Sequence, residues 1–87
     1  MNVYKWTITA RCPTKKMRDF YTAELRLSAG MIPVESLMDI SEKFVMEEIF
    51  QEHLEQKLRK EVEGLFGTTP IELTLTGNHF GIDVSSG

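Results

Sequence analysis

The 87-residue sequence predicts an α+β domain in the order ββααββ, a four-stranded antiparallel sheet covered by two helices. Three observations predict it. Two stretches of strict apolar–polar alternation open the chain and two more close it. The segment between them repeats its apolar residues at helical spacing. Each alternating stretch has one apolar face that an amphipathic helix can cover. The length allows one domain, residues 1–87.

The first strand is predicted over Val3 to Arg11. Tyr4, Trp6, Ile8 and Ala10 share one face, and Lys5, Thr7, Thr9 and Arg11 the other. Cys12-Pro13 ends it, because proline cannot donate to a ladder. Thr14 to Arg18 is a polar, basic connection. Phe20 to Ser28 alternates again, with Tyr21, Ala23, Leu25 and Leu27 on one face, and should pair antiparallel with the first strand. Gly30 breaks it. Pro33 suits the first turn of a helix, with Glu35 close behind to favour the helix dipole.

From Val34 to Phe66 the sole glycine or proline is Gly64. One helix of that span would be roughly 50 Å long, against a radius of gyration of about 12 Å for a domain this small. Two helices are therefore expected, broken near Phe44 to Glu48. Leu37, Ile40 and Phe44 form the first stripe; Phe50, Leu54, Leu58, Val62, Leu65 and Phe66 form the second. Gly67-Thr68-Thr69-Pro70 reads as a loop. Ile71, Leu73 and Leu75 alternate in a third strand, Gly77-Asn78 is a two-residue hairpin signal, and Phe80, Ile82 and Val84 form the apolar face of a fourth. Ser85-Ser86-Gly87 reads as a frayed tail.

Composition narrows the function. A net charge of −3 gives no overall basic field for nucleic acid. One cysteine cannot form an intrachain disulfide and suits a reducing compartment, so a cytoplasmic setting is expected. The N-terminus has no basic-then-apolar leader, and no apolar run reaches the length of a membrane span, so no membrane partner is expected. There is no paired His/Cys spacing for a metal and no glycine-rich phosphate loop.

Few residues remain to carry chemistry. Cys12 is either a small buried hydrophobe or a nucleophile. It lies at a strand end beside proline, near Lys15, Lys16 and Arg18, whose charges would favour a thiolate. Asp19 follows seven residues later across the loop and could serve as the thiol's proton partner if the hairpin closes. Glu52 is expected on the buried-edge side of the second helix, between Phe50 and Leu54; as a lone helix glutamate it would otherwise be solvated. His53 and His79 read as surface or capping residues. Lys57, Arg59 and Lys60, interleaved with Glu55, Glu61 and Glu63, read as a solvated helix face.

Cys12-Pro13-Thr14, Asp19-Phe20, Glu35-Ser36, Phe50-Gln51-Glu52 and Gly81-Ile82-Asp83 together, in order, resemble the QueF family of 7-cyano-7-deazaguanine nitrile reductases and their QueF-like amidinotransferase relatives. The resemblance runs from about Cys12 to Val84. The family's cysteine is followed by proline, with its aspartate seven positions on, as here. Its second helix carries a Phe-His-Glu row; Gln51 replaces the histidine. The reductases follow Glu-Ser with lysines that help hold NADPH, whereas Leu37, Met38, Asp39 and Ile40 follow here. The reductases' paired arginines before the last strand's glycine are replaced by Asn78-His79-Phe80. These departures favour the amidinotransferase branch, with NADPH needed only under the reductase alternative.

The resemblance implies a tunnelling fold (T-fold), closed as a barrel in a pentamer or decamer of identical chains. It implies Cys12 and Asp19 as catalytic residues, and Glu52, Gln51, Glu35 and Ser36 as substrate-binding residues. It also implies a 7-cyano-7-deazaguanine substrate, free or in tRNA, with ammonia as co-substrate, and an archaeosine-type amidine as product. A non-catalytic binding module on the same fold is the alternative from another class.

Overall fold

The computed structural model describes residues 1–66 and 71–87, Phe66 by its backbone alone. Alternation sets the long hairpin. β1 (Asn2–Arg11) pairs antiparallel with β2 (Arg18–Leu27), from Asn2 opposite Leu27 to Arg11 opposite Arg18. β2 pairs with β3 (Ile71–His79), and β3 with β4 (Ile82–Ser86), giving the order β1-β2-β3-β4. The helices α1 (Val34–Glu42) and α2 (Gln51–Phe66) cover one face. Pro33 stands just before α1 as its N-cap, extended at φ −61° and ψ 134°, rather than within the first turn.

The core lies between this face and the helices. Ile8, Ala10, Tyr21, Ala23, Leu25, Leu27, Leu73 and Leu75 supply the sheet side; Leu37, Ile40, Leu54, Leu58 and Val62 supply the helix side. Each fully buried leucine contributes about 1.5–3 kcal/mol by leaving water. The radius of gyration is 12.8 Å. No helix among the described residues is long and apolar enough to cross a membrane.

The helix break falls where chain length required one, over residues 43–50. Phe44 and Ile49 are both buried though five positions apart. A continuous helix would turn them to different sides. The chain instead leaves the helix and runs beside the end of β1: the Arg11 N–H donates to the Glu47 carbonyl (2.9 Å), and the Ile49 N–H donates to the Arg11 carbonyl (3.0 Å). This fastens the start of α2 to the strand that ends in Cys12.

Several expectations are corrected. The β3–β4 turn is Phe80-Gly81, both at positive φ (55° and 87°), not Gly77-Asn78. Asn78 does serve the turn, but from within β3: its Oδ1 accepts from the Gly81 N–H (3.0 Å) and its Nδ2 donates to Asp83 (2.9 Å). Gly77 is needed for space, because a Cβ there would lie 2.6 Å from the Tyr21 ring. Ser85 and Ser86 belong to β4 rather than a frayed tail, with Ser85 opposite Thr76 and Ser86 opposite Leu75. Phe80, Ile82 and Val84 are exposed, because the start of α2 meets β4 only near Val84 and leaves the rest of that strand uncovered; Phe50 and Leu65 of the second stripe are exposed too. Glu55 is buried, held by Arg59, whose guanidinium also donates to the Leu73 carbonyl (3.0 Å). The loop expected at Gly67-Thr68-Thr69-Pro70 lies outside the described residues.

Candidate active site

One end of the sheet gathers the turn after β1, the β3–β4 turn and the start of α2. Cys12 is half-buried where β1 stops. Its N–H donates to the Met17 carbonyl (2.8 Å) and its carbonyl accepts from the Lys16 N–H (2.9 Å), which closes the turn with Lys16 at φ 59°. The Sγ lies 3.3 Å from the Thr14 hydroxyl. That hydroxyl holds the thiol's pKa below its ordinary value, helped by the backbone N–H groups of Lys15 and Thr14 and opposed by slight burial and the charge of Asp19. Hydrogen bonds, not the neighbouring cations, therefore favour the thiolate. Lys16 pairs with Glu48, and Lys15 sits 5.6 Å over the Phe80 ring.

Asp19 stands opposite Ala10, two residues before Tyr21, so alternation turns it to the helix-covered face on which Ala10 and Tyr21 lie, with Ala10 two residues short of Cys12. The Tyr21 hydroxyl donates to Asp19 Oδ2 at 3.2 Å. Burial of Tyr21, followed by the Asp19 charge beside it, pushes the phenol well above its ordinary range, so it remains a donor.

The start of α2 supplies the third wall. Phe50, Gln51, Glu52, His53, His79 and Val84 line a groove of about 330 Å³. Glu52 is exposed at its mouth, not on a buried edge. Gln51 is the buried member. Its Nε2 donates to the Leu75 carbonyl (3.1 Å) and the Val84 carbonyl (2.7 Å), which forces Oε1 toward His79 Nε2 at 2.8 Å. That nitrogen must then carry the proton. Both amide donors of Gln51 are thus committed to the backbones of β3 and β4. His53 is exposed and edge-on to Phe50.

Cys12, Asp19, Gln51 and Glu52 are therefore brought to one end of the sheet, whereas Glu35 and Ser36 are not. They open α1, which rests on the other half of β1: the Trp6 N–H donates to the Ser41 hydroxyl (2.8 Å), and the Ile32 N–H to the Tyr4 hydroxyl (3.0 Å). Tyr4 to Cys12 is about 26 Å along the strand. Sequence reasoning missed Thr14, Tyr21 and His79. Their signal was positional: two residues from Cys12, two from Asp19, and two from the glycine opposite Tyr21. Among the described residues, no cluster of three or more histidine, cysteine or acidic side chains could hold a metal ion.

These elements define a class, the α+β tunnelling-fold domain with a ββααββ chain. No protein-family model matches the sequence, and no curated protein does. Among solved structures, the chain is similar to the crystal structure of the archaeosine synthase QueF-like in the apo form. The TM-score is 0.83 at 17% identity, over 98% of this chain and 87% of that one. At that identity the likeness establishes the fold.

Proposed function

We propose that this chain is a QueF-like amidinotransferase, converting the nitrile of 7-cyano-7-deazaguanine, held in tRNA, to an archaeosine-type amidine. The observation that carries the reading is the placement of Cys12, where β1 stops, at the same end of the sheet as Asp19, which stands opposite Ala10, with the Thr14 hydroxyl 3.3 Å from the sulfur to favour the thiolate. The fold neighbour's own description supports the same chemistry.

Asp19 takes the proton of the Cys12 thiol, the thiolate adds to the nitrile carbon, and Asp19 passes that proton to the nitrile nitrogen, giving a thioimidate and restoring the carboxylate. Ammonia then adds to that carbon and the thiolate leaves, so the products are the amidine and the free thiol. Glu52, at the mouth of the groove, accepts from the amine and ring N–H of the base. Gln51 acts by holding β3 and β4 against α2, which keeps Glu52 and His79 in place. No hydride donor enters these steps. Residues 37–40 offer no lysine for a phosphorylated dinucleotide, which disfavours the NADPH-dependent reductase. The free thiol calls for a reducing, cytoplasmic setting.

The active form in this reading is a ring of identical chains. β1 and β4 are the open edges of the sheet, and joining them removes both. Glu35 and Ser36 would then reach a Cys12 end from another copy.

The test is intact mass spectrometry after mixing the protein with 7-cyano-7-deazaguanine, as free base and in tRNA. A mass increase equal to the substrate, absent in Cys12→Ala, is expected. No increase with either substrate overturns the reading, and consumption of added NADPH would assign the reductase instead. Light scattering that gave a stable monomer at micromolar concentration would refute the ring.

A further inference from the structure

We infer that Tyr21 is a positioning residue that aims the Asp19 carboxyl at Cys12, and that Gly77 exists to let it do so. The inference rests on the proposed role of Cys12 and Asp19.

Tyr21 is 2% exposed and lies directly opposite Gly77 across β2 and β3. Cβ atoms of paired strand residues ordinarily fill that space. Here the tyrosine ring occupies it: a Cβ on Gly77 would come within 2.6 and 2.7 Å of ring carbons and 3.0 Å of Gln51 Oε1. One side of the ring thus packs against bare backbone, and His79 lies beside it at 5.9 Å between centroids, tilted by 53°. His79 is itself held by Gln51. A ring so confined has little freedom, and its hydroxyl reaches Asp19 Oδ2 at 3.2 Å. One carboxylate oxygen is thereby tied, which leaves Oδ1 as the oxygen available to a reacting group. A strand-end carboxyl without this tether would sample several rotamers. Phenylalanine at this position would fill the core equally well, so packing alone does not account for the hydroxyl.

Other polar and charged side chains meet this corner. Lys15 and Lys16 come from the turn, Lys16 paired with Glu48 of the linker, and His79 comes from β3. Arg11 and Arg18 face each other on the opposite side of the sheet. Asp19 is the negative charge that opposes the Cys12 thiolate. The donor from Tyr21 spreads that charge, so its loss strengthens the carboxylate's field at the thiol.

The experiment is the pH profile of Cys12 alkylation by iodoacetamide, which needs no substrate, in wild type, Tyr21→Phe, Asp19→Asn and the double variant. Tyr21→Phe is expected to move the profile upward by a few tenths of a pH unit while melting as a folded protein. In the Asp19→Asn background the same substitution is expected to move nothing. A Tyr21→Phe profile superimposed on wild type overturns the inference, as does an equal shift in both backgrounds. With the cyano base, Tyr21→Phe is expected to lower the adduct rate with affinity unchanged, by less than the roughly 100- to 10,000-fold of losing the proton donor outright. If wild type forms no adduct, the functional reading fails, while the alkylation cycle still decides whether Tyr21 acts through Asp19.

Discussion

Gln51 is the residue whose replacement should be felt most widely. One side chain spans α2, β3 and β4, with bonds to the Leu75 carbonyl, the Val84 carbonyl and His79. Gln51→Leu keeps the volume and removes all three. At about 0.5–1.5 kcal/mol net for each bond, the loss is roughly 3 kcal/mol. For a domain of this size that lowers the melting temperature by roughly 12–24 °C. Gln51→Glu should do no better, because it points a carboxylate oxygen at two carbonyls. The assay is urea unfolding followed by circular dichroism at one fixed protein concentration, since assembly would add concentration-dependent stability. A loss below about 0.5 kcal/mol in Gln51→Leu would refute the clamp, and with it the argument that this residue serves the sheet rather than the ligand.

Other outcomes follow from the same geometry. Thr14→Ala removes the hydroxyl that most favours the Cys12 thiolate, so iodoacetamide alkylation of Cys12 should titrate at higher pH than in wild type; an unchanged profile would shift the credit to the backbone N–H groups. Tyr21 binds its proton more tightly when folded than its ordinary value of 10.0, so the stability it confers is complete below pH 10 and falls as pH rises above it. Urea midpoints between pH 9 and 11 should show that fall, and Tyr21→Phe should lack its share. Glu52→Gln should weaken binding of the cyano base by titration calorimetry, whereas Asp19→Asn should bind normally and form adduct about 100- to 10,000-fold more slowly; equal effects on both steps would dissolve the division of roles. Leu58→Ala should cost about 2–5 kcal/mol in urea unfolding, since the side chain is fully buried.

Alternation made the sheet legible. From Tyr4 to Ala10 and Tyr21 to Leu27 the apolar face is the covered face, because a period of two admits one assignment once one side is buried. Chain length, not periodicity, revealed the helix break, since residues 43–50 keep enough apolar character to continue either stripe. The β3–β4 turn was misplaced because Gly77-Asn78 carries turn residues used for other purposes: a glycine under a tyrosine ring, and an asparagine bracing a turn two residues on. The candidate site was legible only in its separate parts. Cys12 and Asp19 could be paired through the hairpin, but the burial of Gln51 in place of Glu52 depends on how α2 starts. The distance of Glu35 and Ser36 from Cys12 depends on which half of β1 carries α1, and no local pattern encodes that.

The short run of chain beside Arg11 also governs how long a seam this sheet can offer. Hydrogen bonding along β1 alternates sides, so the groups of Val3, Lys5, Thr7 and Thr9 point away from β2 in the same sense as those of Arg11. Arg11 already gives its N–H to Glu47 and accepts from Ile49. An incoming strand can therefore zip along β1 only as far as Thr9, where it meets the segment of residues 47–49 already bridged to Arg11. The linker thus acts as an end-stop that sets the register of any such union. It also keeps the last residues before the thiol from being covered by whatever docks alongside.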